Sequence, residues 1–523
     1  MSQQEEEVPV LIVGGSLVGL TTGMLLGHHG VRSLSVERHA GTAIHPRAGH
    51  FQLRTLEVLR QVGLEDAVRE ASARMYHPRG GINAVESLAG REIATYVEDV
   101  NEGVEGFSPT GRVFVNQDVL EPLLRERALE LGAETINRTE VVGLDQDDDG
   151  VTATLRDLDT EEERTVRARY VVAADGNRSP TRNRLGIEMV GYGELSRSIT
   201  IYFRADCAEL LRNRNQGVIY VHNPELRGFF RLDRSGGTGF LVVNTVGEDV
   251  TRPEAVNVSE GLTDEQVHGL VRAAIGVPEM PVEIDGVQHW RAEANVAERF
   301  SSGRVFLAGD AAHVVPPNGG FGGNTGIQDA LNLAWKLAAV VKGEAAPELL
   351  DTYHDERWPL ARLTIEQAYN RYATRVVPER GTDDVEPFID DLTIEIGMIM
   401  RSRAIAVEPD DDGAVYAHPS LLRGRPGTRA PHVELPDGRS TLDLFGKDFV
   451  VLRPAGPDVD DWAPAGAVSH AIEGPGFRDA YGLSAGGAAL VRPDGVVAWR
   501  APGSFWRPEL ERALDVALSR APA

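Results

Sequence analysis

The sequence has very little cysteine and lysine, and it has no long apolar run. Cys207 is the single cysteine, which excludes an internal disulfide framework and any cysteine-based metal cluster. No apolar run approaches the ~20 residues that are needed to span a bilayer. The N-terminus is acidic and leads directly into an apolar strand, which is the opposite of a signal peptide. These features predict a protein of the reducing cytoplasm, with no membrane partner.

The charge balance is strongly negative. The formal net charge is −26, and lysine occurs only at Lys336, Lys342 and Lys447, so arginine supplies almost all of the positive charge. Such a charge disfavours nucleic acid and anionic membranes as partners, although it can also serve solubility alone. The 523 residues are enough for three or four domains, and a hydrophobic fraction of 42% is ordinary for a globular protein.

The N-terminus carries a dinucleotide-binding pattern. An apolar strand ends at Val13, and Gly14-Gly15-Ser16-Leu17-Val18-Gly19 leads from it into a helical run. Gly14 permits the tight turn, and Gly19 lets the helix pack closely on the strand. Ser16 replaces the usual middle glycine but is small enough for a pyrophosphate to approach. A second strand ends at Glu37, about 20 residues further on, where a carboxylate can accept from a ribose hydroxyl.

A second glycine-rich stretch comes much later in the chain. A strand over 304–308 runs into Gly309-Asp310-Ala311-Ala312-His313, followed by Pro316-Pro317 and by a run of glycines from Gly319 to Gly326. The spacing after this run predicts an amphipathic helix from about Ile327 to Val341. Such a turn presents free backbone N–H groups and a positive helix end to an anion. The alternative is a glycine-rich loop that only turns the chain.

The remaining sequence divides into three stretches with different patterns. Between residues 75 and 187 lie short strands, a helix predicted from Asp118 to Leu131 and opened by Gln117, and a strand that runs into Asp175-Gly176. Alternating apolar residues predict a β-rich insert from about 190 to 290, and helices then run to about 405. After 408 a separate unit begins, with predicted strands over 447–452, 488–491 and 496–499 and a final helix from Pro508 to Arg520.

Three motifs together make the chain resemble the single-component FAD-dependent aromatic hydroxylases. They are Gly14 to Gly19, Asp175 to Arg182 and Gly309 to Ala330, and the resemblance covers nearly the whole chain. It is narrowest to actinobacterial polyketide hydroxylases, such as those of tetracenomycin and anthracycline pathways. The resemblance implies an α/β fold with a Rossmann-like FAD-binding domain of the para-hydroxybenzoate hydroxylase type, a β-rich substrate domain and a C-terminal thioredoxin-like domain.

The implied domains are assigned to ranges of this chain. The FAD-binding domain consists of residues 1–187 and 291–407, and within the first range residues 75–110 contribute to the substrate side. The substrate domain is 188–290, and the thioredoxin-like domain is 408–523. Because Cys207 lies far outside it, this last domain has no CxxC dithiol and cannot exchange thiols, which leaves a structural or assembly role.

The resemblance also implies FAD as cofactor, with NADPH or NADH as co-substrate, and no metal. Gly14, Ser16, Leu17 and Gly19 are expected under the FAD pyrophosphate, Glu37 on the adenosine ribose and Arg38 beside the adenine. Arg47 and Gln117 match further family contacts to the cofactor, although Arg47 can instead form a surface salt bridge.

The later motifs are expected at the flavin end. Asp310 should accept from the ribityl hydroxyls, or alternatively cap a helix. The amides from Gly319 to Asn324, which include Gly320, Gly322, Gly323 and Asn324, should face the pyrimidine edge, where a helix N-terminus stabilises the negative charge of reduced flavin. Asp175, with Arg182, either contacts NAD(P)H or is purely structural. His313 is expected to pack and form hydrogen bonds locally.

The implied reaction is the hydroxylation of a polycyclic aromatic polyketide of the phenol or hydroquinone type in antibiotic biosynthesis. NAD(P)H would reduce FAD, and O2 would then give a flavin C4a-hydroperoxide that attacks the electron-rich ring. No catalytic side chain is assigned; His222, Arg231 and Tyr220 are candidates for a substrate base but are more typical of framework. The protein is expected to be a monomer or a dimer. The alternatives are a Baeyer–Villiger monooxygenase acting on a polyketide ketone and a FAD-binding partner protein without oxygenase activity.

Overall fold

The computed structural model describes residues 6–212, 216–247, 253–258, 260–377, 385–456 and 462–521. The strands of these residues are β1 (Glu6–Val13), β2 (Ser33–Val36), β3 (His50–Phe51), β4 (Gly81–Val85), β5 (Glu92–Val97), β6 (Val113–Phe114), β7 (Ala133–Ile136), β8 (Thr139–Gln146), β9 (Val151–Asp157), β10 (Glu163–Ala173), β11 (Met189–Arg204), β12 (Gln216–His222), β13 (Leu226–Leu232), β14 (Thr238–Val246), β15 (Glu283–Ala297), β16 (Ser301–Ser302), β17 (Val305–Leu307), β18 (His313–Val314), β19 (Phe449–Pro454), β20 (Ala467–Ile472), β21 (Ala488–Val491) and β22 (Val497–Ala501). The α-helices are α1 (Leu17–His28), α2 (Leu53–Gln61), α3 (Glu65–Met75), α4 (Gln117–Glu130), α5 (Pro180–Arg184), α6 (Asp264–Ile275), α7 (Phe321–Val341), α8 (Thr352–Arg375), α9 (Asp391–Ile396), α10 (Pro419–Leu422), α11 (Pro475–Tyr481) and α12 (Arg507–Ala517). Alternating strands and helices of this kind make an α/β fold.

The first sheet is a parallel core in the order β16-β17-β10-β1-β2-β7, to which β8 and β9 are added through β10. β1 runs parallel to β2 and β10, and β10 runs parallel to β17. Val10, Leu11 and Ile12 of the central strand are fully buried, as expected of a strand covered on both faces. The carboxyl ends of β1, β10 and β17 therefore lie together, and the three sequence motifs follow these strands. The parallel order places all three motifs at one edge of the sheet.

The second sheet is built largely from the β-rich part of the chain, in the order β18-β15-β11-β14-β13-β12-β4-β5. One face, with Ile201, Phe203 and Leu241, packs in a cluster with α6. The other face carries Tyr202, Phe240 and Val242. β4 and β5 enter this sheet from the 75–110 segment through a parallel pairing of β12 with β4. β18 pairs with β15, so this sheet is tied directly to the Gly309 motif.

The tail has its own four-stranded sheet in the order β20-β19-β21-β22. β19 and β20 are parallel, whereas β21 is antiparallel to β19 and β22 is antiparallel to β21. With α11 before β21 and α12 after β22, this is the arrangement of a thioredoxin-like fold. β19, β21 and β22 occupy three predicted strands, and β20 lies where the sequence predicts none. The sole cysteine, Cys207, is buried in the core of the second sheet.

A buried network of charges, which we call the tail network, joins this domain to the helices of the first. It consists of Lys336 on α7, Glu356 on α8 and Arg492 and Asp494 after β21, all at most 2% exposed. Arg492 donates to both carboxylate oxygens of Glu356 at 2.8 and 2.9 Å, and Lys336 donates to Glu356 at 2.8 Å. Burial alone would raise the pKa of Glu356, but the charges of Arg492 and Lys336 outweigh it and hold this pKa well below its ordinary value. The tail is thus docked through charge as well as through apolar packing.

Among the described residues, no helix has the length and apolar content required to cross a bilayer.

Candidate functional site

The turn between β1 and α1 has no room for side chains at two of its glycines. Gly14 has φ +111°, and a Cβ there would lie 2.3 Å from the carbonyl oxygen of Ala174. A Cβ at Gly19 would lie 1.9 Å from the carbonyl oxygen of Gly14. The Gly14 amide donates to the Val36 carbonyl at 2.8 Å. The turn is therefore as tight, and as free of side chains at these two glycines, as a pyrophosphate cradle requires.

Glu37 holds this turn from the end of β2. Its Oε2 accepts from the Gly15 amide at 2.7 Å, and its Oε1 accepts from the His39 amide at 2.8 Å. The carboxylate is buried, whereas the neighbouring Arg38 is exposed. Each carboxylate oxygen has more than one lone pair, so the contact with a ribose hydroxyl that the sequence predicts is compatible with these bonds.

The sequence did not point to Glu121. This residue of α4 is fully buried, and its carboxylate lies at the N-terminus of α1. Its Oε1 accepts from the Leu17 amide at 2.9 Å, from the Ser16 hydroxyl at 2.5 Å and from the Gln117 side chain at 2.7 Å. The hydroxyl of Ser16, a residue that is expected under the pyrophosphate, thus donates to a carboxylate. The amides of Val18 and Gly19 follow in the same first turn, where a helix has no internal acceptors for its N–H groups.

Gln117, the first residue of α4, links this turn to the segment that carries Arg47. Its Oε1 accepts from the Ala48 amide at 3.1 Å. Arg47 itself is exposed, and in the described part of the chain it forms no salt bridge, which is the alternative considered for it. Its charge acts on Asp310, across the site. Arg47 and Asp310 therefore belong to one recess.

Asp329 organises the Gly309 motif from α7. It is fully buried and accepts from the Gly309 amide at 3.1 Å, contacts His313 Nε2 at 2.6 Å and accepts from Arg357 Nε at 2.9 Å. Burial alone would raise the pKa of Asp329, but His313 and Arg357 outweigh it and lower this pKa. His313 is accordingly a local packing and hydrogen-bonding residue. This cluster fixes the backbone that presents Asp310.

Asp310 differs from its neighbours because its side chain is exposed. It lies in a short 3₁₀ turn, Gly309–Ala311, whose N-cap position is occupied by Ala308, so Asp310 is not the cap of this turn. Solvent reaches the Asp310 side chain, but the protein around it reduces its solvation and so raises the pKa of Asp310, against the opposing charges of His313 and Arg47. A carboxylate held in this way, without a protein partner among the described residues, can accept hydrogen bonds from a polyhydroxylated ligand.

The glycine-rich stretch differs from the sequence expectation in where its helix starts. α7 begins at Phe321 rather than near Ile327, so Gly322, Gly323 and Asn324 lie in its first turn. Gly319 and Gly320 have φ of +103° and +68°, and they form the turn that precedes the helix. The helix is held here by packing despite its glycines: a Cβ at Gly323 would lie 3.0 Å from the Leu17 side chain. The early start aims the first-turn amides of α7 out of the helix end.

The Asn324 side chain is used within the protein and is not free for a cofactor. Its Oδ1 accepts from the Gln52 amide at 2.9 Å and from Thr55 Oγ1 at 2.7 Å. Its Nδ2 donates to the carbonyls of His50 and Gly320 at 2.9 and 2.7 Å. Asn324 therefore positions the turn, and any contact from this residue to a flavin falls to its backbone.

Asp175 and Arg182 make local bonds that fit the structural alternative. Asp175 accepts from the Ser179 hydroxyl at 2.5 Å and from the Thr181 amide at 3.0 Å, at the start of α5. Arg182 donates to the carbonyl of Ala311 at 3.0 Å. The second motif thus braces the third, and a Cβ at Gly14 would contact the same Ala174–Asp175 segment.

Several buried polar atoms close to these motifs have no hydrogen-bond partner in the described part of the chain. They are both side-chain polar atoms of Asn318, Nε2 of His50 and Nε2 of Gln52. Asn318 directly precedes the Gly319-Gly320 turn. Unpaired buried polar groups are costly, so a polar ligand at this place would satisfy them. Together with the glycine cradle and Asp310, they fit a flavin dinucleotide, with Gly14 to Gly19 at the pyrophosphate, Asp310 at the ribityl chain and Gly319 to Gly323 at the ring. These individual contacts remain predictions.

The second sheet covers this end of the site with aromatic side chains, which we call the aromatic face. Tyr202, Phe240 and Val242 lie on it, with Trp290 and Phe229 packed against them. Tyr202 stacks on His45 with ring centroids 4.7 Å apart, and its hydroxyl donates to the Pro46 carbonyl at 3.2 Å. The aromatic face therefore meets the segment that carries Arg47. An apolar, flat-sided surface of this kind suits an aromatic ligand.

Comparison with known proteins agrees with this geometry. The family description "FAD binding domain" matches residues 7–368, and "Aromatic-ring hydroxylase, C-terminal" matches residues 423–521. Over 541 residues the chain is 54% identical to 4-methyl-5-nitrocatechol 5-monooxygenase of a Burkholderia species, with 98% of each chain covered. It is 40% identical to tetracenomycin A2 monooxygenase-dioxygenase of Streptomyces glaucescens, covering 95% of this chain and 94% of that protein.

A solved structure shows the same architecture. The ternary complex of aklavinone-11 hydroxylase with FAD and aklavinone superposes with a TM-score of 0.91 at 36% identity, covering 99% of this chain and 100% of that one. The three motifs of the present chain thus belong to a scaffold that holds FAD in a relative.

Proposed function

Because the chain belongs to the FAD-dependent aromatic-ring hydroxylases, we propose that it hydroxylates a phenol or hydroquinone ring of a polycyclic aromatic polyketide. It is a FAD-dependent monooxygenase with NAD(P)H as co-substrate. One atom of O2 enters the ring and the other leaves as water, with NAD(P)H as the source of electrons. When bound, FAD supplies the activation of O2 and the transfer of one oxygen atom.

One observation carries this proposal: three cofactor motifs meet at one edge of the first sheet, and the aromatic face of the second sheet meets the segment that carries Arg47. The start of α7 supports the proposal, because a helix N-terminus stabilises negative charge of the kind that a reduced flavin ring carries. Tyr202, Phe240 and Trp290 offer flat apolar surface to the substrate and keep water away. The protein thus orients an electron-rich ring and shields it, and it need not supply a nucleophile of its own.

A second substrate class has specific support. The identity of 54% to a nitrocatechol monooxygenase exceeds the 40% to a polyketide enzyme. A monocyclic substituted catechol is therefore the second candidate, with the same chemistry on a smaller ring. Both candidates are electron-rich phenols.

The experiment is incubation of the FAD-loaded protein with NADPH or NADH and O2, with two substrate sets. One set contains polycyclic hydroxyanthraquinones including aklavinone, and the other contains 4-methyl-5-nitrocatechol and 4-nitrocatechol. NAD(P)H oxidation, product mass and nitrite release are measured, with H2O2 formation as the control for uncoupled turnover. A gain of one oxygen on an unchanged carbon skeleton, or nitrite release with a quinone product, supports hydroxylation. A ring-expanded lactone would favour Baeyer–Villiger chemistry, and no substrate-stimulated oxidation in either set would favour a non-catalytic FAD-binding protein.

We further propose that NAD(P)H binds transiently over the FAD domain. This rests on topology, because the described residues contain a single parallel sheet with one dinucleotide-binding turn. The tight local bonds of Asp175 support a structural role for that residue rather than a nicotinamide contact.

A further inference from the structure

Arg231, on β13, has a buried guanidinium with an unsatisfied edge. The residue is 5% exposed, and its Nε and Nη2 have no hydrogen-bond partner in the part of the chain that the structure describes. These two N–H groups point the same way along one side of the guanidinium, which is the edge that arginine uses to bind two oxygen atoms side-on. An unpaired buried charge is strongly destabilising, so a protein seldom keeps one without a ligand for it.

The surroundings of Arg231 are aromatic, and the described residues provide it with no ion pair. Its guanidinium carbon lies 4.6, 5.4 and 6.0 Å from the ring centroids of Tyr76, Phe114 and Phe240. The Tyr76 hydroxyl donates elsewhere, to Asn116 at 2.7 Å, so the ring offers only its face. The charge of Asp118 acts on Arg231, yet none of the described carboxylates lies within ion-pair distance of it. Burial lowers the pKa of Arg231, and Asp118 and Tyr76 oppose that shift.

Gly49 makes the space that the guanidinium occupies. A Cβ at Gly49 would lie 1.4 Å from Nη1 of Arg231. A residue with a side chain at position 49 would therefore clash with this arginine, although the two positions are far apart in sequence. Gly49 directly follows the Arg47–Ala48 segment of the cofactor recess, so this fit also fixes where the guanidinium lies relative to that recess.

Arg231 lies on the substrate side of the turn formed by Gly319 and Gly320, which is predicted to face the flavin ring. It is paired across β13 and β14 with Phe240 of the aromatic face. Phe114, one of its three ring neighbours, stacks on His50 with centroids 4.9 Å apart. A Cβ at Gly320, in this turn, would lie 3.4 Å from His50. Two ring contacts thus connect the guanidinium with the turn assigned to the flavin ring.

We propose that Arg231 anchors the substrate by binding, side-on, a planar pair of oxygen atoms that carries negative charge. An ionised catechol edge has this chemistry, and so does the nitro group of a nitrophenolate. The inference rests on the proposed function and narrows its substrate class to aromatics that bear such a pair. An aromatic without the pair leaves the buried charge unsatisfied, so the site discriminates against it. Binding the anion also keeps the ring electron-rich, which electrophilic oxygenation requires.

The test measures ligand binding in the absence of NAD(P)H, so that it does not depend on turnover. Quenching of flavin fluorescence gives the Kd, and the visible absorbance of 4-nitrocatechol reports the ionisation state of the bound ligand. The probes are 4-nitrocatechol, catechol, which lacks the nitro group, and 4-nitroguaiacol, in which one hydroxyl is methylated. The variants are Arg231→Met, which removes the charge at similar volume, Arg231→Lys, which keeps the charge but loses the side-on edge, and Gly49→Ala, which displaces the guanidinium. Arg234→Met, at an exposed arginine in the same hairpin, is the matched control.

The expected result is that Arg231→Met raises the Kd for 4-nitrocatechol by about 10- to 100-fold. Arg231→Lys and Gly49→Ala should fall between it and the wild type, and Arg234→Met should leave the Kd unchanged. The wild type should bind the ligand as the anion. Loss of affinity for catechol but not for 4-nitroguaiacol assigns the edge to the two hydroxyl oxygens, and the reverse pattern assigns it to the nitro group.

Three results would overturn the proposal. One is that Arg231→Met binds all three probes within twofold of the wild type, or that the wild type binds none of them. Another is that this variant loses affinity for FAD instead, which would place the arginine on the cofactor. The third is a lower unfolding temperature with unchanged ligand affinity, since a merely structural arginine behaves in that way, whereas loss of an unpaired buried charge should leave ligand-free stability equal or higher. Arginine-dependent binding without any NAD(P)H oxidation would reject the proposed oxygenase and retain the anion site.

Discussion

Replacing Arg492 by methionine should destabilise the protein by undoing the tail network. Arg492 donates to both oxygens of Glu356 at 2.8 and 2.9 Å and to both oxygens of Asp494 at 3.0 and 2.5 Å. Without it, two buried carboxylates share Lys336 as their remaining cation in the network. Breaking a buried ion pair by removing one partner costs about 3–5 kcal/mol. That loss is a large part of the ~5–15 kcal/mol by which folded proteins are usually stable.

The assay is equilibrium unfolding of the FAD-loaded protein in urea, followed by tryptophan fluorescence and by flavin release. Arg74→Met is the control, because Arg74 pairs with Glu70 in a largely exposed salt bridge whose loss should change the free energy of unfolding by no more than about 0.5 kcal/mol. In a double-variant cycle, Glu356→Gln should cost much less in the Arg492→Met background than alone, because the carboxylate is already uncompensated there. An Arg492→Met protein within about 1 kcal/mol of the wild type, with flavin release unchanged, would refute the reasoning.

Three further predictions concern the cofactor site and its support. Gly19→Ala should lower FAD affinity at least ~100-fold, because a Cβ would lie 1.9 Å from the Gly14 carbonyl oxygen; FAD retained through ultrafiltration would contradict the assigned cradle. Asp310→Ala should weaken FAD binding by about 10-fold through loss of a charged acceptor, and normal FAD affinity together with normal turnover would remove Asp310 from the cofactor. Burial raises the pKa of Glu395 from 4.5 to about 7, with Arg112 opposing, so the folded state holds this proton more tightly than the unfolded state does. The tighter binding of this proton by the folded state stabilises the protein fully below pH 4.5, and this stabilisation is lost as the pH rises to about 7. Urea unfolding at about pH 5 and about pH 8 should therefore show the wild type losing stability relative to Glu395→Gln, and an unchanged difference would contradict the raised pKa.

The parts of the fold that the sequence predicts are those determined locally. The fully apolar strand before Gly14 and the turn after it follow from residue types over a short window, and the second motif pointed in the same way to the end of β10. These strands are parallel neighbours, so locating each motif in the sequence was enough to bring all three together. The helix over 117–130 was visible because its apolar residues repeat with helical spacing.

The parts that were missed depend on contacts between distant segments. The first turn of α7 has poor helix formers, Gly322 and Gly323, and it is held by packing on Leu17 and by the four hydrogen bonds of Asn324, none of which the local sequence records. Glu121 lies four residues after Gln117 on one helix face, which is a hint of a shared role, but the donors that its carboxylate accepts from, at Ser16 and Leu17, are about a hundred residues away. Likewise Arg231 was only one of several candidates until its burial and its unpaired edge were known.

The tail network also sets an order of events during synthesis of the chain. Glu356 and Arg492 are 136 residues apart. Arg357, next to Glu356, donates to Asp329, which fixes the backbone of the Gly309 motif. At translation rates of about 5–20 residues per second, the ribosome adds the later partner on the order of ten seconds after the earlier one. Until then the interior of the cofactor domain contains the Glu356 carboxylate without its ion pair to Arg492. Capture of FAD should therefore be a post-translational event, and premature termination within the tail should yield a chain that chaperones and proteases treat as unfinished.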